Sequence, residues 1–402
     1  MSINHLSDAL ALIAARVQPV AEIERVRLTD AIGRALAADI PAALTLPPFD
    51  NTGVDGWAFR HGDVGPDAKL QIVGESAAGI PFTGTLPAGR TTRISTGAVI
   101  PNGADTVVMQ EDCTRDGDIL VLNTVPKHGA NIRKSGEDIR AGDLALGAGR
   151  RLAPQDLALL LSLGESHAPV RRKLRVGIIS TGTELRTLDD GKGPPQEGQI
   201  FDSNRPMLAA LLQRWPVEAT TLPILTDDRA ATERALLDAS KTFDLLLTTG
   251  GVSVGDHDHV RPSVETLGEI LFWRIAIRPG RPVLLGRIGN AHILGLPGNP
   301  VSVAVIFALL GRAVLSALAG FDAPRFVRIP VQLANAHTKP ARLNEFVRAR
   351  IEDGRATLYR AQGSNLLTSL AWSDGLCDLP AGRDSFAPGD VVDFLPFGGI
   401  FD

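Results

Sequence analysis

Asp244-Leu245-Leu246-Leu247-Thr248-Thr249-Gly250-Gly251-Val252-Ser253-Val254-Gly255-Asp256-His257-Asp258-His259 is the stretch that decides the fold. Leu245-Leu246-Leu247 is a short apolar run of the kind a buried parallel strand needs. At Gly250-Gly251 the backbone can turn sharply and approach a ligand closely. Asp256 and Asp258 then stand just past the carboxyl end of the strand, where open α/β sheets bind ligands. A strand, a glycine turn and two carboxylates point to a phosphate-bearing ligand with a divalent cation.

The pattern continues on both sides. Arg175-Val176-Gly177-Ile178-Ile179-Ser180 reads as a second buried strand. A helix capped by Asp202 or Ser203 follows, carrying Met207, Leu208, Leu211 and Leu212. A strand is expected near Pro223-Ile224-Leu225 and a helix over residues 228–240. This alternation predicts a parallel, helix-covered sheet. Residues 301–319 are strongly apolar, but Arg312 interrupts them and Asn299-Pro300 opens them, so a buried core helix is predicted, not a membrane span.

Outside this unit the character changes. Residues 5–16 have helical spacing, with Leu6, Leu10 and Ile13 on one face. Residues 44–143 place glycine and proline between short β-prone runs such as Thr106-Val107-Val108-Met109, which reads as an irregular all-β unit. Residues 151–163 look helical again, with Pro154 in the first turn. Residues 187–199 read as a surface loop or hairpin, and from about Arg325 short alternating runs return, predicting a small β-barrel or sandwich.

A chain of 402 residues implies two to four units. With 44% apolar and 21% charged residues it has the composition of a soluble globular protein, and a formal charge of −4 gives no global nucleic-acid signal. Cys113 and Cys377 are too few for a disulfide framework and lack metal-ligand spacing, so a reducing cytoplasm is the simplest compartment. Residues 1–16 carry Asp8 and no long apolar core, and do not read as a secretory signal.

Three further segments carry chemistry. In Gly295-Leu296-Pro297-Gly298-Asn299-Pro300-Val301-Ser302, Asn299 suits an N-cap and Pro300 the first helical position. The free amides of that turn favour an anion, unless the segment is simply a well-made helix start. In residues 272–282, Arg274, Arg278 and Arg281 flank a Pro-Gly turn. Their guanidinium forks match tetrahedral oxyanions, and the alternative is a solvated basic loop. Asp227, Asp228, Asp256 and Asp258 offer hard oxygen ligands for Mg²⁺, although Asp227-Asp228 reads equally as a helix N-cap. Asp256-His257-Asp258-His259 invites a histidine-ligated metal, but the other six histidines are scattered and none is expected.

Together these motifs resemble the molybdopterin molybdenumtransferase (molybdenum insertase) family, to which the carboxy-terminal region of gephyrin belongs. The resemblance rests on residues 249–256, the Arg-Pro-Gly-Arg-Pro turn at 278–282 and residues 295–302. Upstream, Asp50-Asn51-Thr52-Gly53-Val54-Asp55-Gly56-Trp57-Ala58 is similar to the family's Asn-Ser-x-Met-Asp-Gly-Tyr-Ala segment, and residues 93–98 and 133–138 match in order. The similarity spans about residues 5–400.

The resemblance implies a multidomain α/β plus β chain. Its parts are a discontinuous helical linker domain (1–43 and 140–172), an irregular all-β insert (44–139), a doubly wound α/β molybdopterin-binding domain (173–322) and a C-terminal β-barrel (323–402). It implies a cytoplasmic homodimer whose active site lies between the α/β part of one subunit and the β-insert of the other. Adenylylated molybdopterin and molybdate are the implied substrates, with Mg²⁺-dependent release of AMP. Transient contact with the molybdopterin adenylyltransferase is implied, and no nucleic-acid or membrane partner.

By position, Asp258 and one of Asp227 and Asp228 would handle Mg²⁺ and pyrophosphate, with Asp256 in the metal set and Glu184 close by. Arg278, Arg281, Ser302, Arg348 and Ser364 match positions the family associates with molybdate. Gly250, Gly251, Ser253, Arg274, Pro297 and Asn299 would complete the substrate site, and Asp55 and Thr96 would reach it from the partner subunit. The family often has lysine at positions 274, 278 and 281. Arginine keeps the charge but is bulkier and bidentate, so the swap reflects compositional drift, a shifted oxyanion preference or a weakened paralogue. The competing readings are a non-catalytic, gephyrin-like scaffold and a metal-dependent phosphohydrolase of a pterin or nucleotide pyrophosphate.

Overall fold

The computed structural model describes residues 5–65, 68–188, 191, 193–322 and 326–401. Its central sheet runs in the order Val217–Thr221, Leu174–Ser180, Leu245–Thr249, Ala291–Leu296, Leu284–Ile288 and Glu269–Trp273. The first four strands are parallel and the last two antiparallel. Leu245, Leu246 and Leu247 are all fully buried because both faces of the sheet are covered. Leu245 and Leu247 meet the helices Asn204–Leu212 and Pro300–Ile306 on one face, through Leu208, Leu212 and Val303. Leu246 meets Arg229–Ser240 and Val260–Leu267 on the other, through Leu236, Val260 and Val264. The sheet is therefore doubly wound, as expected.

The strand expected near Pro223 lies earlier, at Val217–Thr221, and Leu225 keeps only an isolated bridge to Thr181. Pro223 has no N–H to give a ladder, and the exposed Glu218 to Thr221 carry little hydrophobic signal. The apolar helix is continuous over Pro300–Ala319, with a π-helical turn at Phe307–Gly311, and 94% of its most apolar window is buried inside the protein.

The linker region departs from its helical expectation. Ile23–Arg27 pairs antiparallel with His167–Arg171, and Ile40–Pro41 with Leu144–Leu146. Helix Pro154–Ser162 packs there through Leu160 against Leu28, Leu36 and Val170. Helix Leu6–Arg16 joins the α/β core instead, through Ala9 and Ile13. Ile23–Arg27 is exposed at four of its five residues, so its pairing with a distant strand leaves almost no periodic trace.

The β-insert contains a six-stranded sheet in the order Thr106–Met109, Gly56–Phe59, Arg90–Ile94, Lys69–Ser76, Ile119–Leu122 and Cys113–Asp116. Gly56 is obligatory there, since a Cβ would collide with the Val108 carbonyl. At the C-terminus, Asn344–Glu352, Arg355–Leu358, Ile329–Leu333, Val391–Pro396 and Gly375–Leu379 close into a barrel. Closure follows because Gly375–Leu379 pairs with both Val391–Pro396 and Asn344–Glu352. This decides between barrel and sandwich. The expected boundary at 322/323 meets residues 323–325, which lie outside the described residues, as do 189, 190 and 192 of the loop expected at 187–199. Within the α/β unit, Ile277–Arg278 pairs parallel with Asn344–Glu345 and so docks the arginine turn on the barrel.

Candidate active site

The chain runs from Leu174–Ser180 outward to Val217–Thr221 and returns to Leu245–Thr249 on the other flank, so strand order reverses between the first and third. Crossover connections on opposite faces part at such a point and leave a crevice. Here it is a cleft of about 860 Å³, lined by Thr181, Glu184 and Asp227 on one side and by Gly250, Gly251, Asp256 and Asp258 on the other. Pro297, Gly298 and Asn299 complete it from the next strand, and Asn365 and Leu367 from the barrel.

The glycine pair makes this approach possible. Gly250 and Gly251 have φ of 85° and 70°. A Cβ on Gly250 would sit 2.9 Å from the Thr181 carbonyl oxygen, and one on Gly251 2.7 Å from Val260 Cγ2.

Each carboxylate is locally held. The Thr183 hydroxyl donates to Asp227 Oδ2 at 2.6 Å. The Gly255 amide donates to Asp258 Oδ2 at 2.7 Å, closing the turn that presents it. Glu184 folds over Gly182, where a Cβ would stand 2.5 Å from Oε2. Asp256 is exposed. Asp228 does not line the cleft: it caps helix Arg229–Ser240, its Oδ1 accepting from the Ala231 amide at 2.6 Å. Of the adjacent pair, Asp227 faces the site and Asp228 is the cap. Asp202, not Ser203, caps the preceding helix, accepting from the Asn204 amide at 3.0 Å.

No lysine or arginine is among the described lining residues. Such a cleft repels a polyphosphate unless a cation intervenes. Among the described residues no three His, Cys, Asp or Glu side chains converge as a complete metal site. The donor set therefore fits a hard cation that takes one or two carboxylates and completes its shell with phosphate oxygens and water, the habit of Mg²⁺. His257 lines the same cleft.

The arginines are not among the residues that line this cleft, and Arg278 lies at the seam between the α/β unit and the barrel. Arg278 Nε faces Glu345 Oε1 at 3.4 Å. Arg274 adopts a left-handed backbone (φ 70°) and stacks its guanidinium 4.1 Å from the centre of the Trp273 ring. Arg281 is exposed, and its carbonyl accepts from the Ile275 and Val283 amides. Arg348 is buried, with Nε donating to Ser369 Oγ at 3.1 Å and Nη2 to the Gly363 carbonyl at 2.9 Å. Burial pushes its pKa down to about 10, Glu345 opposing and Arg278 reinforcing the shift. Ser302 is buried in the first turn of the helix that Pro300 opens.

One side chain joins cleft and seam. Asn299 stands at the N-cap position but makes no capping bond; its Nδ2 donates to Ser364 Oγ at 2.9 Å. The Ser364 carbonyl accepts from the Val301 amide at 3.2 Å, so one of the amides expected to attract an anion is already engaged. Ser253 lies on the cleft wall, whereas Asp55 and Thr96 line none of it. In the β-insert the Thr96 amide and hydroxyl donate to Asp55 Oδ1 at 2.7 and 3.1 Å, holding its carboxyl below the usual carboxylate range. Sequence reading missed Asn365, Leu367, Glu345 and Trp273. The first two adjoin Ser364, Trp273 directly precedes Arg274 and Glu345 stands three residues before Arg348, so each neighbours a residue the sequence singles out.

A doubly wound unit with an acidic cleft at its switch point, flanked by a β-insert and a closed barrel, defines a multidomain α/β ligand-binding protein. The MoeA N-terminal region (domain I and II) family matches residues 4–164, the probable molybdopterin binding domain residues 177–317, and the MoeA C-terminal region (domain IV) residues 330–397. The chain is 38% identical to the molybdopterin molybdenumtransferase of Haemophilus influenzae, covering 94% of this chain and 95% of that one. It is also 38% identical to that of Synechococcus elongatus, covering 96% and 98%. The crystal structure of the molybdopterin biosynthesis MoeA protein from Pyrococcus horikoshii OT3 superposes with a TM-score of 0.85 at 30% identity, covering 98% of this chain and 100% of that one. The chain belongs to the molybdopterin molybdenumtransferase family.

Proposed function

We infer that this chain is a transferase of molybdenum cofactor biosynthesis that inserts molybdate into adenylylated molybdopterin and releases AMP. The observation that carries this reading is the pairing of an acidic cleft at the switch point with an arginine seam beside it, joined by Asn299 and Ser364. Asp227 and Asp258 would hold Mg²⁺ against the substrate pyrophosphate, with Glu184 and Asp256 on the same walls. Bound there, Mg²⁺ neutralises phosphate charge and polarises the phosphoryl oxygens. Gly250, Gly251 and Pro297 let the substrate approach the backbone. Arg278, Arg281 and Arg348 supply cationic donors for a tetrahedral dianion at the seam.

Asp55 and Thr96 would complete the site from the second subunit of a homodimer. The protein would work in the cytoplasm and receive its substrate by transient contact with the molybdopterin adenylyltransferase. AMP release from adenylylated molybdopterin, measured with and without molybdate, tests the reading. Molybdate-stimulated release supports it, molybdate-independent release favours a phosphohydrolase, and no release favours a scaffold.

A further inference from the structure

The loop that carries Asp256 and Asp258 and the turn that carries Arg278 and Arg281 meet at one side chain, Trp273. It ends the edge strand Glu269–Trp273 and packs against the cluster that contains Val252 and Val260. Its indole Nε1 donates to the Val252 carbonyl at 2.9 Å. The guanidinium carbons of Arg261 and Arg274 lie 4.0 and 4.1 Å from its ring centre, within cation–π range. Arg261 is one residue beyond Val260 at the start of helix Val260–Leu267, and Arg274 opens the arginine turn.

The base of the loop is closed by the Val260 and Arg261 amides, which donate to the Gly251 carbonyl at 3.0 and 3.3 Å, and by Val252, which is buried in the core. The loop's internal hydrogen bonds run from the Gly255 amide to Asp258 Oδ2 and from the Asp258 amide to the Gly255 carbonyl. Among the described residues, the Trp273 N–H is the hydrogen bond that reaches residues 252–257 from outside the loop. Val254 is 67% exposed, so apolar packing does not hold the loop's tip. On the other side, Arg274 is left-handed, a conformation that a non-glycine residue keeps only when its surroundings impose it. Its amide donates to the Val283 carbonyl at 2.8 Å, closing the base of the turn, and its guanidinium rests on the indole.

We propose that Trp273 is a positioning residue that fixes the carboxylate loop and the arginine turn relative to each other, so that one indole sets the spacing between the cation–pyrophosphate end and the oxyanion end of the substrate site. The two contacts are separable. The N–H serves the carboxylate loop, and the ring face serves the arginines. The inference rests on the reading given under Proposed function.

Trp273→Phe keeps an aromatic face and removes the N–H, whereas Trp273→Leu removes both. In Trp273→Phe the Mg²⁺ concentration for half-maximal AMP release should rise about three- to tenfold, the loss of one ordinary hydrogen bond, with the molybdate requirement within about twofold of wild type. In Trp273→Leu both requirements should rise. A purely structural role would instead lower the active fraction and leave both half-saturation values unchanged in both variants, and that result overturns the proposal. A parallel rise of both values in Trp273→Phe also overturns it.

A second readout does not depend on turnover. The Trp273 contribution to fluorescence, taken as wild type minus Trp273→Phe, should change when magnesium pyrophosphate is added, because the loop that would bind it is bonded to the ring. An unchanged difference spectrum, with magnesium pyrophosphate binding shown by calorimetry, counts against Trp273. If wild type releases no AMP but the difference spectrum responds, the functional reading fails while the coupling through Trp273 stands.

Discussion

Arg278 of the α/β unit and Glu345 of the barrel face each other, Nε to Oε1, at 3.4 Å. The Glu345 side chain is 2% exposed, and its other oxygen lies 3.1 Å from His337 Nε2. A carboxylate buried to that extent persists only when paired, so the barrel holds the arginine side chain that the turn projects. The two residues meet because Ile277–Arg278 adds itself as a parallel partner to Asn344–Glu345. The arginine turn is thus held by groups from two domains.

Removing the cationic forks should weaken molybdate alone. Arg278→Ala or Arg281→Ala should raise the molybdate concentration for half-maximal AMP release about ten- to a hundredfold, the effect of losing one charge-assisted hydrogen bond. The lysine variants should lose less, and Glu345→Gln should shift the same value in the same direction by a smaller factor. Binding of the adenylylated pterin should change little. Equal molybdate dependence in wild type and both alanine variants would show that the turn is only a solvated loop.

The two adjacent aspartates should separate function from stability. Asp258→Asn and Asp227→Asn should abolish Mg²⁺-dependent AMP release with the fold intact. Asp228→Ala should cost about 1 kcal/mol of stability through the lost cap and leave turnover near wild type. Urea denaturation paired with turnover measures both. Inactive, fully stable Asp228→Ala protein would reverse the assignment.

The proposed sharing of the site between two subunits can be tested by complementation. Asp55→Ala and Asp258→Ala homodimers should each be inactive. Subunit exchange should restore part of the activity, because each heterodimer then keeps one intact site. Exchanged heterodimers as inactive as their parents would refute the shared site.

His292 should make the fold acid-sensitive. It is 7% exposed, and among the described residues neither ring nitrogen has a hydrogen-bond partner. Burial lowers its pKa from 6.5, Arg287 adding to the shift and Glu269 opposing it. The unfolded chain therefore takes up a proton at a higher pH than the folded one. Stability from the neutral ring is complete above pH 6.5 and declines as pH falls towards the folded value, at up to about 1.4 kcal/mol per pH unit. His292→Leu should flatten the Tm profile between pH 7.5 and 5.5, and an unchanged profile would remove His292 as its source.

Much of the α/β unit was legible locally. Leu245–Thr249, the glycine pair and the carboxylates beyond it are read from apolar runs and from backbone freedom, both properties of neighbouring residues. The strand at Val217–Thr221 was misplaced because four of its five residues face solvent. In the linker region, Ile23–Arg27 was missed for the same reason.

The sequence by itself determined the buried parallel strands, the glycine turn and the cluster of motifs that marks the family, because strand periodicity, glycine conformation and helix starts depend on a few adjacent side chains. Only the tertiary structure decided that Asp227 faces the cleft while Asp228 caps a helix. It also sent Asn299 to Ser364, 65 residues away, instead of to its own helix, and closed the C-terminal strands into a barrel. Each of these depends on which distant group lies within hydrogen-bonding reach, and chain topology settles that where local propensity does not.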